Sequence, residues 1–572
     1  MADWPDWRAD LFDPHKVPFS RRGSFIAISW LAEDGAFWLR NLRGGDEHTD
    51  LGRMLRLQVL SPQGLPIEAD WRITPDCLSA RTGKGMLHLS FNGPDQISLA
   101  ANGLGLRLQA GASKYNYAQA APNHIHVCIA TQDLRCDITA STGQISLTAP
   151  WNGLSSDAIA IDLLPADGTI AATLDLFRIT PGDSLPIPQS AAQTQTAVEF
   201  VEFSAQMPQV PAEFAAGRLL ACYILWSSYV PAEGALSRPA IYMSKNWMTN
   251  IWSWDHCFVA LAFAESQPER AFEQMEVIFN AQSPSGRLPD YINDRYPYWS
   301  FTKPPVHGWT FAQLRALAPS AYGPERMAKV LVWMEAQVGF WMAGPRLGAL
   351  PAYRHGNDAG WDNATCFAEG GPLVTPDLAT FLILQLDEIA AIHQKFGQMQ
   401  AAADATARAD ALCDALCRDL WDGTGFVARH CADGCVMQTG QPLLVFLPLL
   451  LGDRLPVEMR AAMLTRLQQP ERYLTPHGLA TEATDSPLYC ANGYWRGPIW
   501  APTTALFVDA LQRSGAPALA AEIARRYCTM CTASGMAENH DAQTGAGLHD
   551  PAFAWTSAVF LSLGNRLLTS AG

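Results

Sequence analysis

The chain of 572 residues is short of charge, of cations in particular, and of long hydrophobic runs. Charged residues make up 17% of it, below the ~25% of an average soluble domain. The 40 Lys and Arg against 55 Asp and Glu leave a formal net charge of −15. This deficit argues against nucleic acid or an anionic membrane as a partner, because Lys and Arg bind phosphates. The longest apolar run, residues 443–451, is too short for the ~20 residues of a membrane span.

Cysteine usage and the first residues predict a compartment. Residues 1–16 contain no basic stretch followed by an apolar one, so we expect no signal peptide. The 13 cysteines are odd in number and scattered through apolar stretches, which is typical of free thiols in a reducing environment. We therefore expect a cytoplasmic protein.

One cluster has the residue types of a zinc site: Cys413, Cys417, His430, Cys431 and Cys435. Zinc needs four converging ligands, and thiol spacing without a tight knuckle is weak evidence for it. The Cys413/Cys417 pair is equally typical of a helix core. We expect neither a metal nor a cofactor.

Apolar and aromatic side chains are what the chain has in abundance. Hydrophobic residues make up 48% of it, and 19 residues are Trp. A chain of this length and composition can bury a large core, which excludes disorder as the main state. Trp also suits amphipathic ligands such as sugars, although packing in a core is the alternative interpretation.

The residues up to 185 predict an N-terminal antiparallel β-sandwich. Short runs of alternating apolar and polar residues, such as 24–30, 124–129 and 144–148, are separated by turn residues. Period-two runs with turns at this spacing are typical of a sandwich. Residues 186–210 are predicted to be a linker, because their first half is polar, rich in Pro and Gln, and unpatterned.

From residue 211 to 572 the hydrophobic period becomes helical, as in residues 325–341, 377–396 and 401–421. The length suffices for about twelve helices with their connections. No alternation of strands with helices is visible, which argues against a parallel sheet. We therefore predict a toroid of helical hairpins.

Four loop-like segments in the helical half combine Asp, Glu or Arg with several aromatic or amide residues. They span residues 246–256, 353–363, 492–500 and 538–545. Aromatic rings stack on the apolar faces of sugars, and Asp, Asn and Arg hold sugar hydroxyls. The composition of these segments therefore points to a carbohydrate site.

Hydrolysis of a glycoside requires two carboxyl groups, one protonated and one ionised. Asp362 lies between Trp361 and Asn363, and desolvation by an aromatic neighbour raises a carboxyl pKa. Glu538 is the second candidate. The alternatives are a helix N-cap for Asp362 and an ordinary surface position for Glu538. Asp290 follows a proline, and we interpret it as a turn or N-cap residue.

The four segments, in this order, resemble the catalytic half of glycoside hydrolase family 63 and its trehalase and mannosylglycerate or glucosylglycerate hydrolase relatives. The motifs that carry the resemblance are Trp252-Ser-Trp-Asp-His-Cys-Phe258, Asp358-Ala-Gly-Trp-Asp-Asn363, Tyr494-Trp-Arg-Gly-Pro-Ile-Trp500 and Glu538-Asn-His-Asp-Ala-Gln-Thr-Gly545. The resemblance covers about residues 215–565. It implies an (α/α)6 barrel and an inverting mechanism, with Asp362 as general acid and Glu538 as general base.

The resemblance also implies the substrate contacts. Asp255 would bind the sugar in the −1 subsite. The other contacts that it implies are Trp254, Lys303, His307, Trp361, Asn363, Tyr494, Trp495, Arg496 and Trp500. Family members usually carry Ser or Pro and then Arg after the acid motif, whereas Asn363 is followed by Ala-Thr-Cys, and Asp358 stands where Glu is usual. The first departure bears on substrate choice.

We therefore expect an inverting α-glycosidase that hydrolyses a small α-glucoside or α-mannoside, with no nucleic acid or membrane as partner. Two alternatives remain open. A phosphorylase on the same barrel would need no base and would need cations for phosphate, and both Glu538 and the scarcity of basic residues argue against it. A non-catalytic carbohydrate sensor is supported only by the missing Arg. The oligomeric state is not indicated.

Overall fold

A computed structural model describes residues 12–47, 50–182, 184–469 and 471–570. Most of residues 1–16, which carry the expectation about a signal peptide, lie outside these ranges. The described residues form two compact units. The first takes in those up to 205 together with 222–231 and 244–249, and the second takes in 206–221, 232–243 and those from 250 onward.

Two antiparallel sheets make up most of the first unit. Their strands are β1 Phe19–Ser20, β2 Ile26–Leu31, β3 Ala36–Asn41, β4 Arg53–Leu60, β5 Asp70–Thr74, β6 Cys77–Thr82, β7 Gly85–Phe91, β8 Gln96–Asn102, β9 Gly105–Ala110, β10 Tyr117–Ala121, β11 His124–Ile129, β12 Leu134–Thr142, β13 Gln144–Thr148, β14 Ile159–Leu164 and β15 Thr169–Phe177. One sheet has the order β1-β2-β3-β4-β9-β14-β13. The other has the order β10-β11-β12-β15-β8-β7-β6-β5. The predicted antiparallel β domain is confirmed.

Side-chain alternation explains the pairing of these strands. In β14, Ile161 and Leu163 are buried whereas Asp162 between them is half-buried. Ile161 pairs with Leu108 and Leu163 with Leu106 of β9, so apolar side chains meet on one face of the sheet. A shift of one residue would expose all of them, which is why the register is specific.

The predicted linker contains a helix. Helix α1, Gln189–Ala205, buries Ala192, Ala197, Phe200 and Phe203, so the linker prediction is corrected for these residues. The polar composition of residues 186–196 concealed the helix, because both of its aromatic anchors lie further along the chain. Tertiary contacts overrode a weak local preference.

Helices dominate the remainder of the chain. They are α2 Ala215–Ser227, α3 Asp255–Leu261, α4 Pro268–Phe279, α5 His307–Leu317, α6 Pro324–Met342, α7 Pro376–Lys395, α8 Met399–Asp419, α9 Val457–Leu467, α10 Ala501–Arg513, α11 Pro517–Ser534 and α12 Ala554–Ser570, with a 3-10 segment at Leu443–Arg454. In the second unit, α3, α5, α7, the 3-10 segment, α10 and α12 pack each against the next and close into a ring. Helices α4, α6, α8, α9 and α11 pack on its outside. The predicted toroid is confirmed.

The connectivity of this ring positions the candidate site. Each inner element except the last, α12, is followed in sequence by an outer helix that returns along it, so the inner elements run in the same direction. Two of the four aromatic–acidic segments lead directly into the N-termini of α3 and α10. Residues 538–545 precede α12, and residues 353–363 precede α7, by about a dozen residues or fewer. All four segments therefore meet at one end of the ring.

The apolar run 443–451 belongs to the inner ring. It lies in the 3-10 segment, where nearly every residue is buried. Among the described residues, no helix has the length and apolar character needed to cross a membrane.

Candidate active site

Four tryptophans form one buried wall at this end of the ring. Trp495 and Trp500 stack with their ring centroids 4.1 Å apart and their planes 5° from parallel. Trp361 lies 5.1 Å and Trp254 6.1 Å from Trp495. Because these side chains come from three separate segments, the wall assembles the motifs into one site. Each of the four side chains is at most 2% exposed, so this tryptophan wall is part of the packed core beneath the site.

A glycine allows two of these segments to approach. Gly360 has φ +70°, a conformation that L-residues rarely adopt, and a Cβ there would lie 2.5 Å from the ring of Trp254. Only glycine fits this position without displacing the ring. It brings the segment of Asp362 against the segment of Asp255.

Glu538 lies beside the wall and is 2% exposed. The Tyr494 hydroxyl donates to its Oε1 at 2.9 Å, and Trp555 Nε1 donates to its backbone carbonyl at 3.1 Å. Burial, reinforced by repulsion from Asp550, raises the pKa of Glu538 to about 8. A carboxyl in these surroundings holds a proton at neutral pH and releases it above that.

We expect Glu538→Gln to raise the melting temperature, and to raise it more at pH 8 than at pH 5. A carboxyl whose folded pKa is about 8 destabilises the fold increasingly as pH rises above the unfolded value. By pH 7 this linkage amounts to about 3 kcal/mol. Thermal denaturation across this pH range measures it, and Glu522→Gln on the exposed face of α11 is the control. A melting difference that does not change with pH would contradict the shifted pKa.

Tyr494 is held in a strained backbone conformation. Its φ is +63°, which is uncommon for a bulky residue and is typical of functional sites. Two contacts hold it: Trp500 Nε1 donates to the Tyr494 carbonyl at 2.9 Å, and the Trp495 amide donates to Asn363 Oδ1 at 2.9 Å. These contacts aim the Tyr494 hydroxyl at Glu538.

Asp362 occupies a more open position, with 35% of its side chain exposed. It borders a cavity of about 480 Å³. Other lining residues of this cavity are His355, Thr365, Phe367, Leu488 and Arg496. The two candidate catalytic carboxyls therefore differ in their surroundings: Glu538 is buried, and Asp362 lies at the edge of an open cavity.

A buried ammonium group links Asp362 to two further carboxyls. Lys303 Nζ is 3.8 Å from Asp362 Oδ1 and 3.1 Å from Asp290 Oδ1. It also donates to the backbone and side-chain oxygens of Asn357. Burial raises the pKa of Asp290 to about 6, against the attraction of Lys303. Asp290, interpreted from the sequence as a turn residue, is thus a buried partner of the site; its position after a proline gave no sign of this.

Asp255 faces the same ammonium. Burial raises its pKa well above the usual range, while the charge of Lys303 opposes this rise. Its Oδ2 is buried and has no hydrogen-bond partner among the described residues. A buried polar atom without a partner is costly, so this carboxyl oxygen is suited to form a hydrogen bond with a ligand hydroxyl.

Two of the substrate contacts expected from the resemblance are already engaged by the protein. His307 bonds through Nε2 to the Ser253 carbonyl at 2.9 Å and through Nδ1 to Gln337 at 3.2 Å. Asn363 uses its amide nitrogen on the Gly493 carbonyl at 3.1 Å, besides its bond to Trp495. Both side chains hold the loops of the site together, and His307 has no ring nitrogen left for a sugar.

Arg496 projects into the cavity beside Asp362. Its Nε is buried without a hydrogen-bond partner among the described residues. At the position where the resemblance leads one to expect Arg, Thr365 instead donates to buried Glu482 at 2.7 Å. Arg496 thus supplies a cation to a cavity that lacks the expected one.

The cysteines of the sequence-level zinc alternative are distributed over two elements. Cys413 and Cys417 lie on α8, and Cys431 and Cys435 lie in the segment after it. Across the described ranges, no group of three or more His, Cys, Asp or Glu has the arrangement of a metal site.

Comparisons with known proteins agree with this geometry. The model of the mannosylglycerate hydrolase MGH1-like glycoside hydrolase domain matches residues 248–556, more than half of the chain. A mannosylglycerate hydrolase of Rubrobacter radiotolerans is 24% identical over 409 residues, which covers 54% of this chain and 90% of that protein.

Two solved structures show the fold. The family 63 mannosylglycerate hydrolase of Thermus thermophilus in complex with Tris has a TM-score of 0.51 and 20% identity, and covers 60% of this chain and 98% of its own. A bacterial glucoamylase in complex with acarbose has a TM-score of 0.64 and 13% identity, and covers 98% of this chain and 95% of its own. The helical ring is therefore an (α/α)6 barrel.

Proposed function

Because the chain belongs to the mannosylglycerate hydrolase MGH1-like glycoside hydrolases, we propose that it hydrolyses a small α-glycoside with inversion. In this proposal Asp362 is the general acid and Glu538 the general base. The sugar lies in a −1 subsite bounded by the tryptophan wall and Asp255. The leaving group occupies the cavity beside Asp362.

One observation carries this proposal: a buried carboxyl and an open carboxyl flank the same tryptophan wall. Asp362 borders an open cavity, which this proposal assigns to the leaving group, and an acid must reach the glycosidic oxygen there. Glu538 lies deep in the site under the Tyr494 hydroxyl, where a base must reach a water on the opposite face of the sugar. Repulsion from Asp362 adds to the burial and the Asp550 charge that raise the pKa of Glu538, so the two carboxyls lie within electrostatic range of each other.

In the reaction, Asp362 donates its proton to the leaving oxygen as the glycosidic bond breaks. Glu538 takes a proton from the water that attacks the anomeric carbon. The bond forms on the face opposite the one that breaks, which inverts the configuration. Glu538 must be ionised for this step, and its hydrogen bond from Tyr494 favours the ionised form.

The position of Arg496 favours a leaving group that carries a hydrogen-bond acceptor, and a carboxylate is the acceptor that a guanidinium binds best. Its Nε lacks a partner among the described residues, and a guanidinium binds a carboxylate through two parallel hydrogen bonds. The Rubrobacter relative is named a mannosylglycerate hydrolase, and glycerate carries such a carboxylate. Glucose and mannose both remain candidates for the −1 subsite.

A product assay tests this function. The panel contains mannosylglycerate, glucosylglycerate, trehalose, kojibiose, nigerose and isomaltose, each with and without phosphate, and NMR identifies the anomer first released. We expect a β-anomer from an α-glycoside without phosphate. A sugar phosphate that forms only with phosphate would support the phosphorylase. Binding without turnover on every substrate would support the sensor.

Tyr494→Phe is expected to lower kcat/KM about 10-fold at pH 7 and to move the acidic limb of the pH profile about one unit upward. Loss of the hydroxyl removes a donor to ionised Glu538, so its pKa rises and a smaller fraction is ionised at a given pH. Initial rates from pH 5 to 9 measure the shift. Tyr322→Phe, at a buried tyrosine whose ring packs against Phe272 of α4 and Phe311 of α5, is the matched control. A lower kcat/KM with an unmoved limb would contradict this role.

A further inference from the structure

A second cavity borders the segment that carries Asp362, through Arg354, His355 and Asp358. Its volume is about 320 Å³. The lining residues that matter here are Arg287, Phe301, Phe340, Trp341, Arg354 and His355. Neither Asp362 nor Glu538 is among its lining residues, and of the residues that line the catalytic cavity only His355 borders it as well. This second cavity is thus a separate space in the helical unit.

The charge of the second cavity is opposite to that of the chain. The protein carries a formal −15, yet two guanidinium groups, Arg287 and Arg354, line this space against one carboxyl, Asp358. Asp358 Oδ1 already accepts the Thr302 amide at 3.1 Å. The cavity therefore carries a local excess of positive charge, with two guanidinium groups against one carboxyl.

Two hydrogen-bond donors in the cavity are available to a ligand. Arg287 Nε is buried and has no hydrogen-bond partner among the described residues, which is costly unless a ligand supplies an acceptor. His355 Nδ1 accepts the Asn357 amide at 3.0 Å, so a neutral imidazole there carries its proton on Nε2. That nitrogen is a donor in a ring which is itself exposed.

Aromatic rings form the rest of the boundary. The His355 ring lies 5.1 Å from that of Phe301, and Phe340 and Trp341 from the end of α6 line the space as well. A ligand that fits must therefore pair a charged group with an apolar body. Inorganic phosphate alone would satisfy the guanidinium groups and leave the aromatic boundary unused.

We propose that this second cavity is a binding site for a small organic anion, a carboxylate or phosphate ester with a ring or chain attached. The anionic group lies between Arg287 and Arg354 and accepts from His355, because guanidinium groups bind such groups through paired hydrogen bonds. The attached body packs against Phe301, Phe340 and Trp341. Binding here requires no occupant in the catalytic cavity.

Calorimetric titration of the whole chain with phenyl phosphate, benzoate, inorganic phosphate and phenol, at constant ionic strength, tests the site. We expect saturable binding of phenyl phosphate or benzoate, at least ten times tighter than that of inorganic phosphate, and no binding of phenol. The preferred probe of the two distinguishes a phosphate ester from a carboxylate as the natural ligand. Saturation by phenol at equal affinity would overturn the proposal, because the charge would then be irrelevant.

Variants assign the binding to this cavity. Arg354→Ala removes an exposed side chain and Arg287→Met a half-buried one, and each is expected to weaken binding at least tenfold. Arg408→Ala, at an exposed arginine of α8, should leave it unchanged. Asp362→Asn should also leave it unchanged, which separates this site from the catalytic cavity whether or not the proposed hydrolysis occurs. If neither Arg354→Ala nor Arg287→Met weakened binding, or if only Asp362→Asn abolished it, the anion would bind outside the second cavity.

Discussion

Asp362→Asn and Glu538→Gln are each expected to lower kcat on an unactivated glycoside by a factor on the order of 100 to 10,000, while the protein stays folded. Factors of this size are typical for removal of a general acid or base. Neither substitution should unfold the protein. Asp362 lies at the edge of a cavity. Glu538 is a buried carboxyl that retains its proton at neutral pH, and a Gln amide is neutral as well. Rates together with melting curves measure both parts of this expectation.

The leaving group distinguishes the two roles. The acidic phenol of an activated aryl glycoside departs without help from a general acid. On that substrate, Asp362→Asn should therefore turn over at close to the rate of the unsubstituted protein. Glu538→Gln should not recover, because water must still be activated. Asp404→Asn and Glu522→Gln, at exposed carboxylates of the outer helices, serve as controls. Near-normal turnover of an unactivated glycoside by Asp362→Asn would disprove its role as acid.

Lys303→Met is expected to destabilise the fold by about 3–5 kcal/mol at neutral pH, the cost of removing one partner of a buried ion pair. Lys303 is 5% exposed and its ammonium lies 3.1 Å from Asp290 and 3.8 Å from Asp362. Without it, Asp290 loses a countercharge at 3.1 Å and the pKa of this buried carboxyl in the folded protein rises further. The folded variant then binds more protons than its unfolded chain. Its loss of folding stability is therefore largest at high pH and becomes smaller toward pH 4.

Melting temperatures between pH 4.5 and 8 measure this loss of stability in Lys303→Met. Adding Asp290→Asn to Lys303→Met should restore part of the stability, because the double variant removes a buried charge that the single variant leaves unpaired. Lys329→Met is the control, since Lys329 pairs with Glu276 at a more exposed site. A loss below about 1 kcal/mol, or one that does not change with pH, would show that Lys303 is not the countercharge of the cluster.

Local patterns predicted the elements whose periodicity is strong. The alternating runs 124–129 and 144–148 coincide with β11 and β13. The long helices α6, α7 and α8 begin and end within two residues of the predicted bounds. Helix α10 was not predicted: eleven of its thirteen residues are buried, so it presents no polar face from which a period could be read.

The sequence by itself determined the class of fold, the order of the aromatic–acidic segments and the identity of the two candidate carboxyls, because these depend on residue type and local spacing. Only the tertiary structure decided what surrounds them. It placed Asp290 against Lys303 and engaged both ring nitrogens of His307 with protein partners. It also buried Glu538 under Tyr494. The reason is physical: burial and pKa depend on groups that lie far apart in sequence and meet only when the ring of helices closes.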